Sequence, residues 1–362
     1  MKTRKRIVVK VGTKVIASRE KALDKDQVKD LVNQIAAIKA KGIDVVLVTS
    51  GAIGAGMGLL GLKKRPAKLS ELQATAAIGQ SHLMHIYGDY FKEAGHLVGQ
   101  MLLTQEDFND RARYLNIKHT IDKLLEHGAI PIINENDTVA TDEIRCGDND
   151  RLSSLVSDLC QAEKLIILTD VEGLLDKDGT VISMVPQITP QILRLGGRTA
   201  CDLGTGGMHT KIECARCAAE AGIECVIANG KYKDVLLKIM EGANIGTTFN
   251  SKKARFLARK RWIAYSSRPK GRIVVDDGAR DALARKDKSL LASGIIEVEG
   301  NFASGDIVAI TDKSGNQIAR GLVNYSSGEI AKIKGMKSDK IKTILGRKTH
   351  DEIVHKDNLV VL

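Results

Sequence analysis

Aromatic residues are scarce, at 3% of 362 positions, with five Phe, six Tyr and one Trp. That scarcity argues against an extensive base-stacking platform of the kind that grips single-stranded nucleic acid. Long hydrophobic runs are absent as well; the longest are strand-sized, far below the ~20 residues a membrane-spanning helix requires. Met1 to Arg6 is basic, but Ile7 to Val9 is too short for a signal-peptide core before Lys10 intervenes. A cytoplasmic protein with no membrane partner is expected. The six cysteines (Cys146, Cys160, Cys201, Cys214, Cys217 and Cys225) follow no disulfide rhythm. Cys214 and Cys217 have a CxxC spacing, but no second pair accompanies them and their segment has the pattern of a helix. Packed thiols, and no metal site, are therefore expected. His82 and His85 stand three apart without a third ligand and are read as structural. The Walker pattern GxxxxGK[ST] does not occur.

What is present is a globular composition, 43% hydrophobic and 27% charged. The length exceeds one ordinary core and points to two domains. The net charge of +11 is unevenly spread: Ser251 to Leu362 holds 23 Lys plus Arg against 13 Asp plus Glu, leaving about +1 for the first 250 residues. Lys252, Lys253, Arg255, Arg259, Lys260 and Arg261 have no acidic residue among them. Such a run is either an electrostatic footprint for a polyanion or a solvated linker and helix end.

Read in order, the chain alternates between short apolar runs and amphipathic stretches. Ile7 to Val11, Asp44 to Val48, Ala129 to Ile133, Lys164 to Leu168 and Glu224 to Ala228 are apolar runs without polar alternation, the mark of strands buried on both faces of a parallel sheet. His96 to Leu103 reads as a further extended segment. Between them, Asp24 to Lys41 repeats apolar residues at Val28, Leu31, Val32, Ile35 and Ile38, a helix with one buried face. Leu69 to Tyr87, Asp107 to His127, Asp150 to Ala162 and His209 to Ala221 read as helices too. The alternation predicts a layered α/β sandwich with at least six largely parallel strands.

Chemistry is concentrated where these strands end. Ala129 to Ile133 runs into Asn134, Glu135, Asn136 and Asp137, and Asp148, Asn149 and Asp150 follow eleven positions later. Open α/β sheets place ligands at such strand ends. Paired Asp and Asn side chains suit a ligand with an ammonium beside a carboxylate, although the same residues also form ordinary turns. Lys10 stands inside an apolar strand, where an ammonium is costly unless it meets an anion. Gly12 follows it, and Gly51, Gly54, Gly56 and Gly58 are read as a flexible loop after the second strand. Leu203 to Lys211 is glycine-rich and opens a helix, a setting for an anion at free backbone amides. Lys211 in that first turn opposes the helix dipole, which a bound phosphate would explain.

Six motifs share one order with a known family: VVKVGT (Val8 to Thr13), VTSGAI (Val48 to Ile53), INEND (Ile133 to Asp137), GDND (Gly147 to Asp150), LTD (Leu168 to Asp170), and GTGGM followed by TK (Gly204 to Lys211). Together they resemble the glutamate 5-kinase branch of the amino acid kinase family. GRIVVDDGARDAL, SLLASGI, VEGNFASGDIV, IARGLVNYSS and EIAKIKG resemble a PUA domain, a small RNA-binding-type β module, so the likeness spans essentially the whole chain. It implies a three-layer α/β/α sandwich of the amino acid kinase type over 1–258, a basic linker over 259–268 and a mainly β PUA-like domain over 269–362.

The resemblance also implies a reaction, ATP-dependent phosphorylation of the side-chain carboxylate of L-glutamate, the first step of proline biosynthesis. Matched position by position, it makes Lys10, Lys211 and Asp150 catalytic, with Asp150 holding the two lysines. It gives Ser50, Asp137 and Asn149 to glutamate, Asp137 meeting the α-ammonium group. It gives Lys10, Gly12, Gly51, Thr169, Asp170, Thr205, Gly206, Gly207, Met208, His209, Thr210 and Lys211 to ATP, with Mg2+ bridging the phosphates. Gly12, Gly51 and the Gly206-Gly207 pair are expected to offer backbone amides. Homo-oligomers (dimers or tetramers) and feedback inhibition by proline are implied likewise.

Two stretches depart from the family pattern. Gly173-Leu174-Leu175-Asp176-Lys177-Asp178-Gly179 replaces a tyrosine-containing GLYT and DP sequence beside the expected adenine site. Ala292 stands where SLLASGI usually carries Pro, and is expected to alter only a turn. A competing class is an RNA-binding metabolite sensor that uses the basic C-terminal part. The presence of Lys10, Asp150 and Lys211 together, which a pure sensor does not require, favours the kinase.

Overall fold

The first strand, β1 (Arg6–Val11), has every residue after Arg6 buried, and parallel neighbours on both sides account for it. The computed structural model describes residues 4–17, 23–139, 148–197, 207–251, 260, 262–266, 269–286 and 288–361. β2 (Asp44–Thr49) and β4 (Ile130–Glu135) are buried along their whole length. β3 (Val98–Leu103), β5 (Lys164–Thr169), β6 (Met184–Val185), β7 (Glu224–Asn229) and β8 (Thr247–Phe249) complete an eight-stranded sheet in the order β3-β4-β2-β1-β5-β7-β8-β6. All described pairings are parallel except β7 with β8. The short strands β6 and β8 lie beyond the runs that sequence periodicity picks out.

Helix α1 (Lys25–Ala40) buries the anticipated apolar face at Val28, Leu31, Val32, Ile35 and Ile38. Its start is set by Asp24, whose side chain accepts from Gln27 N at 3.1 Å, an N-cap of the usual kind. The glycine-rich stretch after β2 differs from the loop expected of it: it is a helix, α2 (Ala52–Leu59), entered through Gly51 at φ +106°. Its glycines serve packing. A Cβ on Gly56 would lie 1.9 Å from the carbonyl oxygen of Thr75, and one on Gly79 1.8 Å from that of Ala52. Those contacts press α2 against α3 (Leu69–Glu93). Helix α3 runs past the anticipated Tyr87 because Phe91, one turn on, is also buried, its ring 6.3 Å from that of Tyr87.

The expected Asp107 to His127 helix divides into α4 (Gln105–Asn109) and α5 (Arg111–Glu126). Asp107 caps the turn before it, accepting from Thr104 N at 2.7 Å. Helices α6 (Asp148–Cys160), α7 (Pro190–Leu195), α8 (Met208–Glu220) and α9 (Val235–Met240) follow. Cys160, Cys214, Cys217 and Cys225 are free thiols, and burial pushes all four pKa values up.

The chain divides into two compact units, Met1–Asp107 with Arg111–Arg255, and Phe108–Asp110 with Phe256–Leu362. The second contains β9 (Gly271–Val275), α10 (Asp277–Lys286), β10 (Ile295–Gly300), β11 (Ile307–Thr311), β12 (Gln317–Leu322), α11 (Ser327–Ile333), α12 (Ile341–Leu345) and β13 (Leu359–Val361). Its sheet order is β10-β9-β11-β12-β13, over a core that includes Ile273, Val308, Ile310, Tyr325 and Ile330. Ser326 and Glu329 form a capping box at the start of α11. Ala292 is buried in a short 3-10 turn, and its carbonyl accepts from Gly335 N at 2.7 Å. Among the described residues, no helix is long and apolar enough to cross a membrane.

Candidate active site

Parallel pairing puts the C-terminal ends of β1, β2, β4 and β5 on one edge of the sheet. A cavity of about 780 Å³ opens there. Lys10 reaches it from β1, Asp150 from the first turn of α6 and Lys211 from the first turn of α8. Lys10 Nζ lies 2.5 Å from Asp150 Oδ1, and Lys211 Nζ lies 2.9 Å from Asp150 Oδ2. Asp150 is 1% exposed, Lys10 5% and Lys211 6%. Burial alone would raise the Asp150 pKa, but the ammonium charges of Lys10 and Lys211 outweigh it and hold the carboxyl below its ordinary range. Two cations on one carboxylate leave a net positive charge facing the cavity. Asp150 is thus a partner that makes Lys211 tolerable in a first helical turn, as the family resemblance implies.

On the β4 side, a chain of amides joins the expected glutamate residues. Asn149 Nδ2 donates to Ser50 Oγ at 3.1 Å and to Asn134 Oδ1 at 2.9 Å. The backbone N–H of Glu135 is shared between Asn134 Oδ1 at 2.9 Å and Asn149 Oδ1 at 3.2 Å. Asn134 Nδ2 in turn donates to Gln80 Oε1 at 2.6 Å. Half-buried Asp137 also lines the cavity, and burial raises its pKa to about 6, against an opposing pull from Arg65.

The remaining expected residues fall on the β5 and α8 sides. Thr169 ends β5, and Asp170 beside it pairs with Lys14 Nζ at 2.9 Å. Burial would lift the Asp170 pKa, but the hydrogen bond and charge of Lys14 bring it below the ordinary value. Gly207 and Met208 line the cavity at the start of α8, whereas His209 packs against Gly196 and Thr210 donates to the Gly207 carbonyl at 2.7 Å. The first described bond of that helix is Lys211 N to Gly207 O at 3.4 Å, and among the described residues the amides just before it have no intrahelical acceptor. Thr205 and Gly206 lie outside the described residues.

Gly12 corrects one expectation. Its amide already donates to Leu168 O at 3.0 Å and is not free for a phosphate. A Cβ there would lie 3.2 Å from Leu168 O, a tight contact, so the glycine lets the chain after β1 lie close to the end of β5. Gly51 lines the cavity where α2 begins, and Ala55 N makes that helix's first bond, to Gly51 O at 2.8 Å. In the atypical stretch after β5, Gly173, Leu174 and Leu175 line the cavity, while Asp176 accepts from the amides of Asp178 and Thr180 to close a tight turn.

Among the described residues, no group of three or more His, Cys, Asp or Glu is placed to hold a metal ion. The carboxylates of Asp150 and Asp170 are engaged by lysines. This donor set suits a Mg2+ that arrives on nucleotide phosphates, the common mode for that ion.

Several residues in or behind the cavity escaped sequence reasoning as site residues. Asn134 sat in plain view in the polar cluster. Lys14 follows the first glycine turn at a spacing that marks nothing by itself, and Arg65 lies in a polar stretch without periodicity. Gln80, behind Asn134, is one polar residue in a long helix and gave no signal.

Comparison with known proteins adds the following. The model of the amino acid kinase family matches residues 5–229, and that of the PUA domain matches residues 271–345. A glutamate 5-kinase of Caldanaerobacter subterraneus subsp. tengcongensis is 50% identical, the alignment covering 99% of this chain and 98% of that one. Those of Thermoanaerobacter sp. (strain X514) and Geobacter sulfurreducens are 48% and 46% identical, each over 99% of this chain and 98% of the relative.

Proposed function

This chain belongs to the amino acid kinase family, and on that premise we propose that it transfers the γ-phosphoryl group of ATP to the side-chain carboxylate of L-glutamate. The products are L-glutamate 5-phosphate and ADP, and the step is the first of proline biosynthesis. The observation that carries the reading is that Lys10, Asp150 and Lys211, joined by ion pairs, line one cavity together with Ser50, Asp137 and Asn149.

The acceptor carboxylate is ionised near neutral pH, so no general base is needed. What the transfer needs is alignment and compensation of the charge on the moving group. Lys10 and Lys211 supply that charge, and Asp150 fixes their ammonium groups before substrate arrives. An ammonium group carries three N–H donors, so each lysine can meet phosphate oxygens as the group moves. Asp137 meets the α-ammonium group of glutamate, and Ser50 and Asn149 meet its oxygens. Thr169, Asp170, Gly207 and Met208 border the nucleotide. A Mg2+ carried on the ATP phosphates would neutralise part of their charge. Proline carries an ammonium beside a carboxylate as well, and competes for Asp137 in the same pocket.

The test is ADP release from ATP and Mg2+, with hydroxylamine present to trap the acyl phosphate as hydroxamate. L-Glutamate, aspartate, acetylglutamate and UMP are compared. Hydroxamate with glutamate alone is the expected result; none with glutamate, from a folded protein that binds ATP, overturns the reading.

One observation supports a second activity beside the first. Lys332, Lys334, Lys337, Lys340 and Lys342 are all exposed within eleven positions of the PUA unit. RNA is the partner such a surface fits, bound mainly through phosphate. Affinity that falls steeply as salt rises is the expected result, and no binding at low salt removes this activity.

A further inference from the structure

The amide chain behind Asn149 has a fixed direction, and its far end is a residue outside the cavity. A backbone N–H cannot accept, so both oxygens facing Glu135 N, Asn134 Oδ1 and Asn149 Oδ1, are set as acceptors. That choice turns Asn134 Nδ2 away from the cavity, into a buried position where it donates to Gln80 Oε1 at 2.6 Å. Asn134 is 1% exposed and Gln80 9% exposed, so water cannot readily stand in for the lost acceptor. The same choice points Asn149 Nδ2 at Ser50 Oγ. Ser50 therefore accepts from Asn149 and has its own O–H left to donate, which is what a carboxylate ligand requires.

We propose that Gln80 is a positioning residue for the amino-acid substrate, acting through Asn134 to lock the amide of Asn149 and the hydroxyl of Ser50 in the orientation that receives glutamate. The inference rests on the glutamate kinase reading above. Gln80 can do this because its helix cannot shift. Its neighbour Gly79 packs against the backbone of Ala52 and Gly56, two residues after Ser50 and in the same helix that Ser50 and Gly51 lead into. Gln80 and Ser50 thus belong to one rigid pair of helices, and the amide chain ties that pair to the end of β4. Without the Gln80 oxygen, Asn134 Nδ2 is buried without an acceptor. Turning the Asn134 amide over to relieve this would set its nitrogen against Glu135 N and Asn149 Nδ2, two donors.

The experiment uses the full chain and steady-state hydroxamate formation. Gln80→Met keeps the volume and removes the acceptor; it should raise KM for glutamate by about tenfold, the size expected when a buried amide loses its partner. KM for ATP should stay within about twofold and kcat within about threefold, since neither Lys10 nor Lys211 is touched. Gln80→Glu keeps an acceptor oxygen and should restore most of the glutamate affinity. Combining Gln80→Met with Asn134→Ala should cost no more than Asn134→Ala alone, because the first acts only through the second. An unchanged KM for glutamate, an equal rise in both KM values, or additive effects in the double variant overturns the proposal. If Gln80→Met fails to fold, Gln80→Ala is read by the same criteria. Wild-type turnover of glutamate, measured first, separates failure of this inference from failure of the kinase reading.

Discussion

Lys10 Nζ stands 2.5 Å from Asp150 Oδ1 inside the protein, and the other oxygen of that carboxylate is held by a second lysine. Three ionic groups share a site from which water is largely excluded. Removing the shared anion leaves two like charges facing each other, and breaking a buried pair in this way costs about 3–5 kcal/mol. Asp150→Ala should therefore lower Tm markedly in the absence of nucleotide. ATP brings anionic oxygens to the same lysines, so its stabilising shift in Tm should be larger in the variant than in wild type. Thermal melts with and without MgATP check this; equal nucleotide shifts would count against phosphate contact by the lysines.

Asp137 carries a pH dependence of known sign. Burial raises its pKa to about 6, and only the ionised form pairs with an ammonium group. As pH falls through about 6, kcat/KM for glutamate should drop while KM for ATP changes little, since this profile reports the free enzyme. The stability effect runs the other way. A carboxyl with a raised folded pKa binds more protons in the native state, so stability declines between the ordinary value of 3.8 and about 6. Asp137→Asn should raise KM for glutamate above about pH 6, where the wild-type carboxyl is ionised, and abolish the acid limb. A limb that survives unchanged in the variant assigns the titration to another group.

Two glycines of one helix should behave oppositely. Gly79→Ala places a methyl group 1.8 Å from a backbone oxygen, which no side-chain motion relieves, and a loss of about 3 kcal/mol or more is expected. Gly88→Ala in the same helix meets nothing within 4 Å and should stabilise by about 0.5–1 kcal/mol. Denaturant titrations of the two variants decide the matter. A benign Gly79→Ala would mean that α2 and α3 are not locked.

The contrast between these helices explains what periodicity reveals. Strands β1, β2, β4, β5 and β7 announce themselves as apolar runs because both faces of a parallel sheet are covered. Lys10 stands out for the same reason, as a charge in the interior of such a run. Helix α2 is hidden, because four glycines in the eight residues from Gly51 to Gly58 look like a loop until the close approach of Thr75 and Ala52 is known. Asp150 looks like one more turn-forming aspartate; its burial between two lysines comes from elements far apart in sequence. Gln80 is a helix residue whose importance lies in facing Asn134, a relation that only the packing of α3 against the sheet creates.

The measurement that bears most directly on the phosphoryl-transfer account is single-turnover hydroxamate formation by Lys211→Ala and Lys10→Ala, with ATP affinity measured in parallel. The account predicts rates lower by about a thousandfold, the loss of a few kcal/mol of charge stabilisation in the transition state. ATP binding should weaken far less. Near-normal rates in either variant, with its fold intact, would contradict the role given to that lysine and to the carboxylate that holds it.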